Sequence, residues 1–256
     1  MSRLALLILL SAFSAPLLAV PSESDCRLNV GWEEWFPVFY QQDGRLQGPE
    51  YELLIELAQQ ADCQLEFFEL PWKRQLKRLE NADLDLLYAA SRTPERELFA
   101  RFSHSYRSEK MLMVVRASSI ASPDASVSLR QWLGTPNEVG RDKTLGLILG
   151  YYYGDALNSI ITDPAIKSSF LEVRWDQQLQ ELLNKKHIDG YMVEASVAYA
   201  QQQAAEQQLQ LLTVDEHQPE PMFLMFSKSV SPAIVERFNR AIDQRVIAPV
   251  PPAVKP

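Results

Sequence analysis

Two successive runs of alternating strand and helix signals constrain the fold of this chain more than any other feature. In the first, apolar or alternating stretches at 28–32, 64–70 and 84–90 are separated by helical segments at 51–61 and 75–81. In the second, strands at 145–149, 170–173, 190–193 and 209–214 alternate with helices from about 154, at 177–186 and at 196–207. Strand, helix, strand in that order builds parallel pairs through right-handed crossovers. On the 51–61 segment Leu54, Leu57, Ala58 and Ala61 share one face, the spacing of a helix laid on a sheet. The class is therefore α/β.

The remaining segments say how the two series connect. Each spans about one hundred residues, enough for its own core. A strand at 111–115 follows the first series, and the Ser-, Ala- and Pro-rich stretch 117–127 reads as a loop. Beyond a boundary at 215–221 come a strand at 222–226 and a helix at 232–246, with Ile234, Val235, Phe238, Ile242 and Val246 inward. The second series already has its sheet, so this last pair is expected to complete the first. Two lobes joined by two crossover segments, near 115–118 and 216–222, follow. A cleft between such lobes is a natural ligand site that closes by hinge bending.

Residues 1–19 read as a cleavable secretory signal peptide. Arg3 is followed by an unbroken apolar run at 4–10 and small apolar residues at 11–19. Pro16, Glu23 and Asp25 leave it short for a spanning helix. Export would place Cys26 and Cys63 in an oxidising compartment. Cys26 opens the first strand and Cys63 precedes the second. If those strands are parallel neighbours, their starts lie side by side and a disulfide is expected; two separate buried thiols are the alternative. With two cysteines in 256 residues, the chain is neither a disulfide scaffold nor a Cys-based zinc module. Its 25 basic against 33 acidic residues, net −8, speak against nucleic acid or an anionic membrane as partner. No metal or other cofactor is expected. The Pro-rich tail 249–256 reads as extended or disordered.

Several local patterns occur in a telling order. Gly48-Pro49-Glu50-Tyr51-Glu52-Leu53 opens a helix. A strand ending in Ala89-Ala90-Ser91 leads into Thr93-Pro94-Glu95-Arg96 and then Phe102-Ser103-His104-Ser105-Tyr106. His187-Ile188-Asp189-Gly190 precedes a strand of the second lobe. From about 27 to 245 this series resembles the amino-acid-type bacterial periplasmic solute-binding proteins, family 3. It is similar to their Gly-x-Asp-x-Asp-Leu, Thr-x-x-Arg, Phe-Ser-x-x-Tyr and Arg-Ile-Asp-Ala motifs, with Glu replacing both Asp of the first. The resemblance implies a two-lobe type II periplasmic clamp with a parallel-rich sheet in each lobe, lobe I over 24–115 and 219–248, lobe II over 116–218. It further implies a periplasmic monomer that captures a small polar solute, an amino acid or related organic acid, for an inner-membrane ABC permease.

In that family the Arg of Thr-x-x-Arg holds a ligand carboxylate, and the matching residue is Arg96. A planar guanidinium pairs bidentately with a carboxylate. Ser91 belongs to the adjoining small-residue turn, and Arg74 and Arg92 are candidates for a second acidic group. Trp35 and Trp72, in strand-end loops, are expected as aromatic walls. In Gly150-Tyr151-Tyr152-Tyr153-Gly154 a strand ends and a helix begins, and Tyr151 and Tyr152 are expected to line a bulkier pocket than the family's Gly-Thr-Thr. Glu194 matches the Asp that binds a ligand ammonium, one methylene longer, and Asp189 is given a structural role. His104, His187 and His217 are scattered and expected at the surface. Without a nucleophile–base pair or phosphate loop, an enzyme is not expected. The alternatives are a dehydratase-type enzyme on the same fold, with Glu194 as general acid, and a ligand-sensing partner of a membrane receptor.

Overall fold

The apolar run before Glu33 forms β1 (Cys26–Trp32), followed by a small hairpin, β2 (Tyr40–Gln42) and β3 (Arg45–Gln47). Next come α1 (Pro49–Gln60), β4 (Cys63–Glu69), α2 (Trp72–Glu80), β5 (Leu86–Ala90), the short α3 (Pro94–Glu97) and the long β6 (Ala100–Glu109). The second series holds β7 (Met111–Arg116), β8 (Ser126–Val127), α4 (Leu129–Leu133), β9 (Leu145–Ile148) and α5 (Asp155–Ile161). It continues through β10 (Phe170–Val173), α6 (Asp176–Asn184), β11 (Gly190–Glu194), α7 (Ala195–Ala204) and β12 (Leu209–Val214). The chain then returns through β13 (Glu220–Ser227) and α8 (Pro232–Ile247). The structure, a computed structural model, describes residues 26–117, 126–205 and 208–247; the leader, most of the 117–127 stretch, the side chain of Val246 and the Pro-rich tail lie outside them.

Two sheets organise these elements, in the orders β4-β1-β5-β13-β6 and β10-β9-β11-β7-β12-β8. Each is parallel where βαβ units built it: β4, β1 and β5 in one, β10, β9 and β11 in the other. The strands next to the crossings run antiparallel: β13 against β5 and β6, β7 against β11 and β12. As expected, β13 and α8 return to the first lobe, where Val235, Phe238 and Ile242 are buried. Cys26 and Cys63 are register partners on β1 and β4, with Cα atoms 4.5 Å apart, and are joined as a disulfide. Closing a loop of that length restricts the unfolded chain by about 4 kcal/mol in the chain-entropy model.

One boundary differs from the sequence pattern. Residues 111–115 were expected to end lobe I, yet they form β7 in the interior of the second sheet. Met111, Leu112, Met113, Val114 and Val115 are all buried, as suits a strand covered on both faces. The place in lobe I is taken by β6, an edge strand whose polar sequence ARFSHSYRSE carries little hydrophobic signal. The first crossing is therefore at Lys110, and the second runs through 215–219.

His217, in that second crossing, is buried rather than at the surface; His104 and His187 are exposed. Its Nε2 accepts from the Met111 N–H at 2.8 Å, and its Nδ1 lies 3.3 Å from the Tyr153 carbonyl oxygen. That pattern requires the neutral ring with the proton on Nδ1, and burial lowers its pKa accordingly. Sequence spacing gave no sign of this role, because it depends on two crossings meeting.

Candidate functional site

Ligands of open α/β sheets bind outside the carboxyl ends of the strands. In lobe I, β1 ends at Glu33 and Trp35, β5 ends at Ala89 to Ser91, and α2 and α3 begin beside them. Across from these ends, β9 of lobe II leads to Gly150, Tyr151 and Tyr152. Together they line one cavity, with Gln75, Tyr88 and Glu109 completing the wall. The turn bearing Trp35 is held by Phe39, which is fully buried and stacks between Trp32 at 5.2 Å and Tyr88 at 5.0 Å. Backbone hydrogen bonds between Trp35 and Phe39, the shortest 2.7 Å, close that turn.

Arg96 sits on α3, whose N-cap Thr93 accepts the Arg96 N–H through Oγ1 at 3.3 Å. Only 7% of Arg96 is exposed. Its guanidinium donates to the Ser91 carbonyl at 2.8 Å and, across the cleft, to the Gly150 carbonyl at 3.0 Å. It also lies 5.5 Å over the Trp72 ring. Burial pushes its pKa down to about 10, which leaves it cationic at neutral pH. Both hydrogen bonds run to neutral carbonyls, so the positive charge remains available to an anion. Trp72 Nε1 donates to the same Gly150 oxygen at 3.0 Å. Gly150 has φ 87, in the left-handed region that favours glycine, and an added Cβ would meet Lys73 Cδ at 3.0 Å.

Acids occupy the rest of the wall. Glu33 Oε2 accepts from the Trp72 N–H at 3.1 Å and Oε1 from the Tyr151 hydroxyl of lobe II at 2.8 Å. Burial raises its pKa to about 8; the Tyr151 and Trp72 bonds oppose that rise, and nearby Asp176 adds to it. Glu109 is raised to about 7, again chiefly by burial, with Arg107 opposing and Glu194 adding. Arg107 donates to Glu50 Oε2 and to Glu109 Oε2, each at 2.9 Å, and faces the Trp35 ring at 5.7 Å. Glu50, buried in the first turn of α1, also accepts from the Tyr106 hydroxyl. Buried charge is tolerable in such a network because each carboxylate meets a donor.

Six residues singled out from the sequence share this cavity: Arg96, Ser91, Trp35, Trp72, Tyr151 and Tyr152. Three others do not. Arg74 is exposed because α2 turns Trp72 and Gln75 inward and its neighbours outward. Arg92 is exposed and pairs with Glu97. Glu194 caps α7: its Oε2 accepts from Ser196 N at 2.7 Å and Val197 N at 3.2 Å, and it stands outside the cavity wall. Tyr153 joins the lobe II core, and its hydroxyl accepts the Ile148 N–H at 2.8 Å. Asp189 has a structural role, accepting from Thr144 N at 2.9 Å and from Arg116 and Asn137 at 3.3 Å each. Sequence reasoning missed Glu33 and Glu109. Alternation with Trp35 on extended backbone could have pointed to Glu33; Glu109 was hidden with β6.

The family model for bacterial extracellular solute-binding proteins, family 3, matches residues 28–245. No curated protein matches the chain. Similar solved structures include AbpA, an amino acid ABC transporter substrate-binding protein from Streptococcus pneumoniae bound to L-arginine. It is 20% identical, with TM-score 0.69, covering 85% of this chain and 88% of that one. The arginine-, lysine-, histidine-binding protein ArtJ from Geobacillus stearothermophilus is 17% identical, TM-score 0.71, covering 86% and 89%. An ancestral arginine-binding protein bound to glutamine is 19% identical, TM-score 0.69, covering 86% and 92%. These likenesses show the two-lobe type II periplasmic binding protein fold. With the family model matched over most of its length, the chain belongs to the bacterial extracellular solute-binding proteins, family 3.

Proposed function

We propose that the protein captures a small zwitterionic solute, an amino acid or related organic acid, in the periplasm and delivers it as a monomer to an inner-membrane ABC permease. The observation that carries this reading is Arg96, a buried cation in an interlobe cleft whose hydrogen bonds go only to carbonyls. A ligand carboxylate would take the place of the Gly150 oxygen on the guanidinium and on Trp72 Nε1. Exchanging a neutral acceptor for an anion strengthens both bonds. The ligand ammonium would face Glu33, and Trp35 and Trp72 would cover its apolar part. A ligand gripped on both sides then favours the closed clamp by its differential affinity for that state. Relatives crystallised with arginine or glutamine support the amino-acid class.

The dehydratase reading draws less support. Both oxygens of Glu194 are occupied at the start of α7, by backbone N–H groups and the Ser196 hydroxyl, which leaves it poorly placed to donate a proton to a substrate. Calorimetric titration with the common L-amino acids tests the proposal. At least one should bind, and Arg96→Ala should weaken it by about a hundredfold, the loss of a charge-assisted bidentate contact. Unchanged affinity in that variant would sink the assignment.

A further inference from the structure

We propose that the ligand carries a second cationic group, and that Asp176 reads it in a groove beside the central cavity. The inference rests on the amino-acid reading above and names the class within it: an α-amino acid whose side chain ends in an amine or guanidinium.

The groove follows from the extended exit of β1. Glu33 and Trp35 line the central cavity, while Glu34 and Phe36, alternating with them, line a second cavity of about 380 Å³. Its other wall is lobe II: Asp176 and Gln180 of α6, and Val197 and Gln201 of α7. Asp176 is half-buried at the start of α6. Among the described residues its carboxylate accepts no hydrogen bond and joins no ion pair; the charged groups that act on it or that it acts on are the acids Glu194 and Glu33. An acid in such company is one cation short.

The charge balance locates that cation in the ligand. Glu109 and Glu50 are served by Arg107, and Arg96 awaits the carboxylate. Glu33 is left for an α-ammonium and Asp176 for a further positive group. Because Asp176 couples to Glu33 as well as lining the groove, it stands between the two compartments. Phe36, 53% exposed at the rim, offers an aromatic face to an aliphatic stem or a guanidinium.

The test uses L-arginine and L-citrulline, which match in shape and differ in charge. Calorimetry on the full mature chain should show arginine preferred by about tenfold or more. Asp176→Asn should weaken arginine until the two bind within about threefold, leave citrulline unchanged and keep the native circular dichroism. Asp176→Glu, which retains the charge, should keep arginine ahead. Equal wild-type affinities, equal loss of both ligands in Asp176→Asn, or binding confined to neutral or acidic amino acids overturns this inference and leaves the amino-acid reading standing. Absence of binding by every amino acid overturns both.

Discussion

The two walls of the cleft are built from different materials. Lobe I brings charge: Arg96 is fixed by the Ser91 carbonyl of its own lobe, and Glu109 by the Arg107 and Glu50 network. Lobe II brings the Gly150 carbonyl and the Tyr151 hydroxyl, both of which reach across to lobe I groups. Buried charges must be held rigidly by near neighbours, since an unpaired one is costly. Neutral dipoles can meet and part across a hinge at about 1 kcal/mol each. The comparison teaches a division of labour in which lobe I reads the ligand and lobe II latches over it.

Four experiments break or sharpen that contrast. The largest effect is expected from removing the lobe I staple. Replacing both Cys26 and Cys63 by Ser should lower stability to denaturant by about 3–4 kcal/mol. A loss under about 1 kcal/mol would place the stiffness of lobe I outside its disulfide.

Next is Arg96→Lys, which keeps the charge but loses the planar fork. Affinity should fall about tenfold or more, whereas Tyr152→Phe on the opposite wall should stay within about threefold. Equal losses from the two would erase the distinction between reader and latch.

The third concerns pH. The folded-state pKa of Glu33 is raised to about 8, so the fold favours its neutral form. Its contribution to stability is present below the ordinary carboxylate range and is lost as pH climbs to about 8, by no more than about 1.4 kcal/mol per pH unit. Glu33→Gln should therefore gain on the wild type between pH 5 and 8 in melting temperature. Parallel pH curves for the two proteins would show that Glu33 titrates normally. The smallest effect belongs to the latch itself: Tyr151→Phe removes one hydroxyl from Glu33 and should speed ligand release about fivefold, with association unchanged. If release is unaltered, Tyr151 is only a wall.

Much of this architecture was legible before folding. Strand and helix alternation implied the parallel centres of both sheets, and the positions of Cys26 and Cys63 at the starts of neighbouring strands implied their meeting. Thr93 to Arg96 marked the guanidinium because capping and spacing are local properties. Strand β6 escaped because an edge strand needs little apolar sequence, and with it went the true first crossing at Lys110. Arg74 misled because loop placement was assumed where α2 had already begun, and a helix turns successive residues to different faces.

By itself the sequence determined which segments become strands and helices and which chemistries were on hand, since periodicity and side-chain type are properties of neighbours along the chain. Tertiary structure alone decided that Glu33 and Asp176 lie among other acids, that Glu194 turns to its own helix, and that His217 wedges between two crossings. Burial and pairing depend on residues dozens of positions apart, and no local pattern reports what a side chain will meet there.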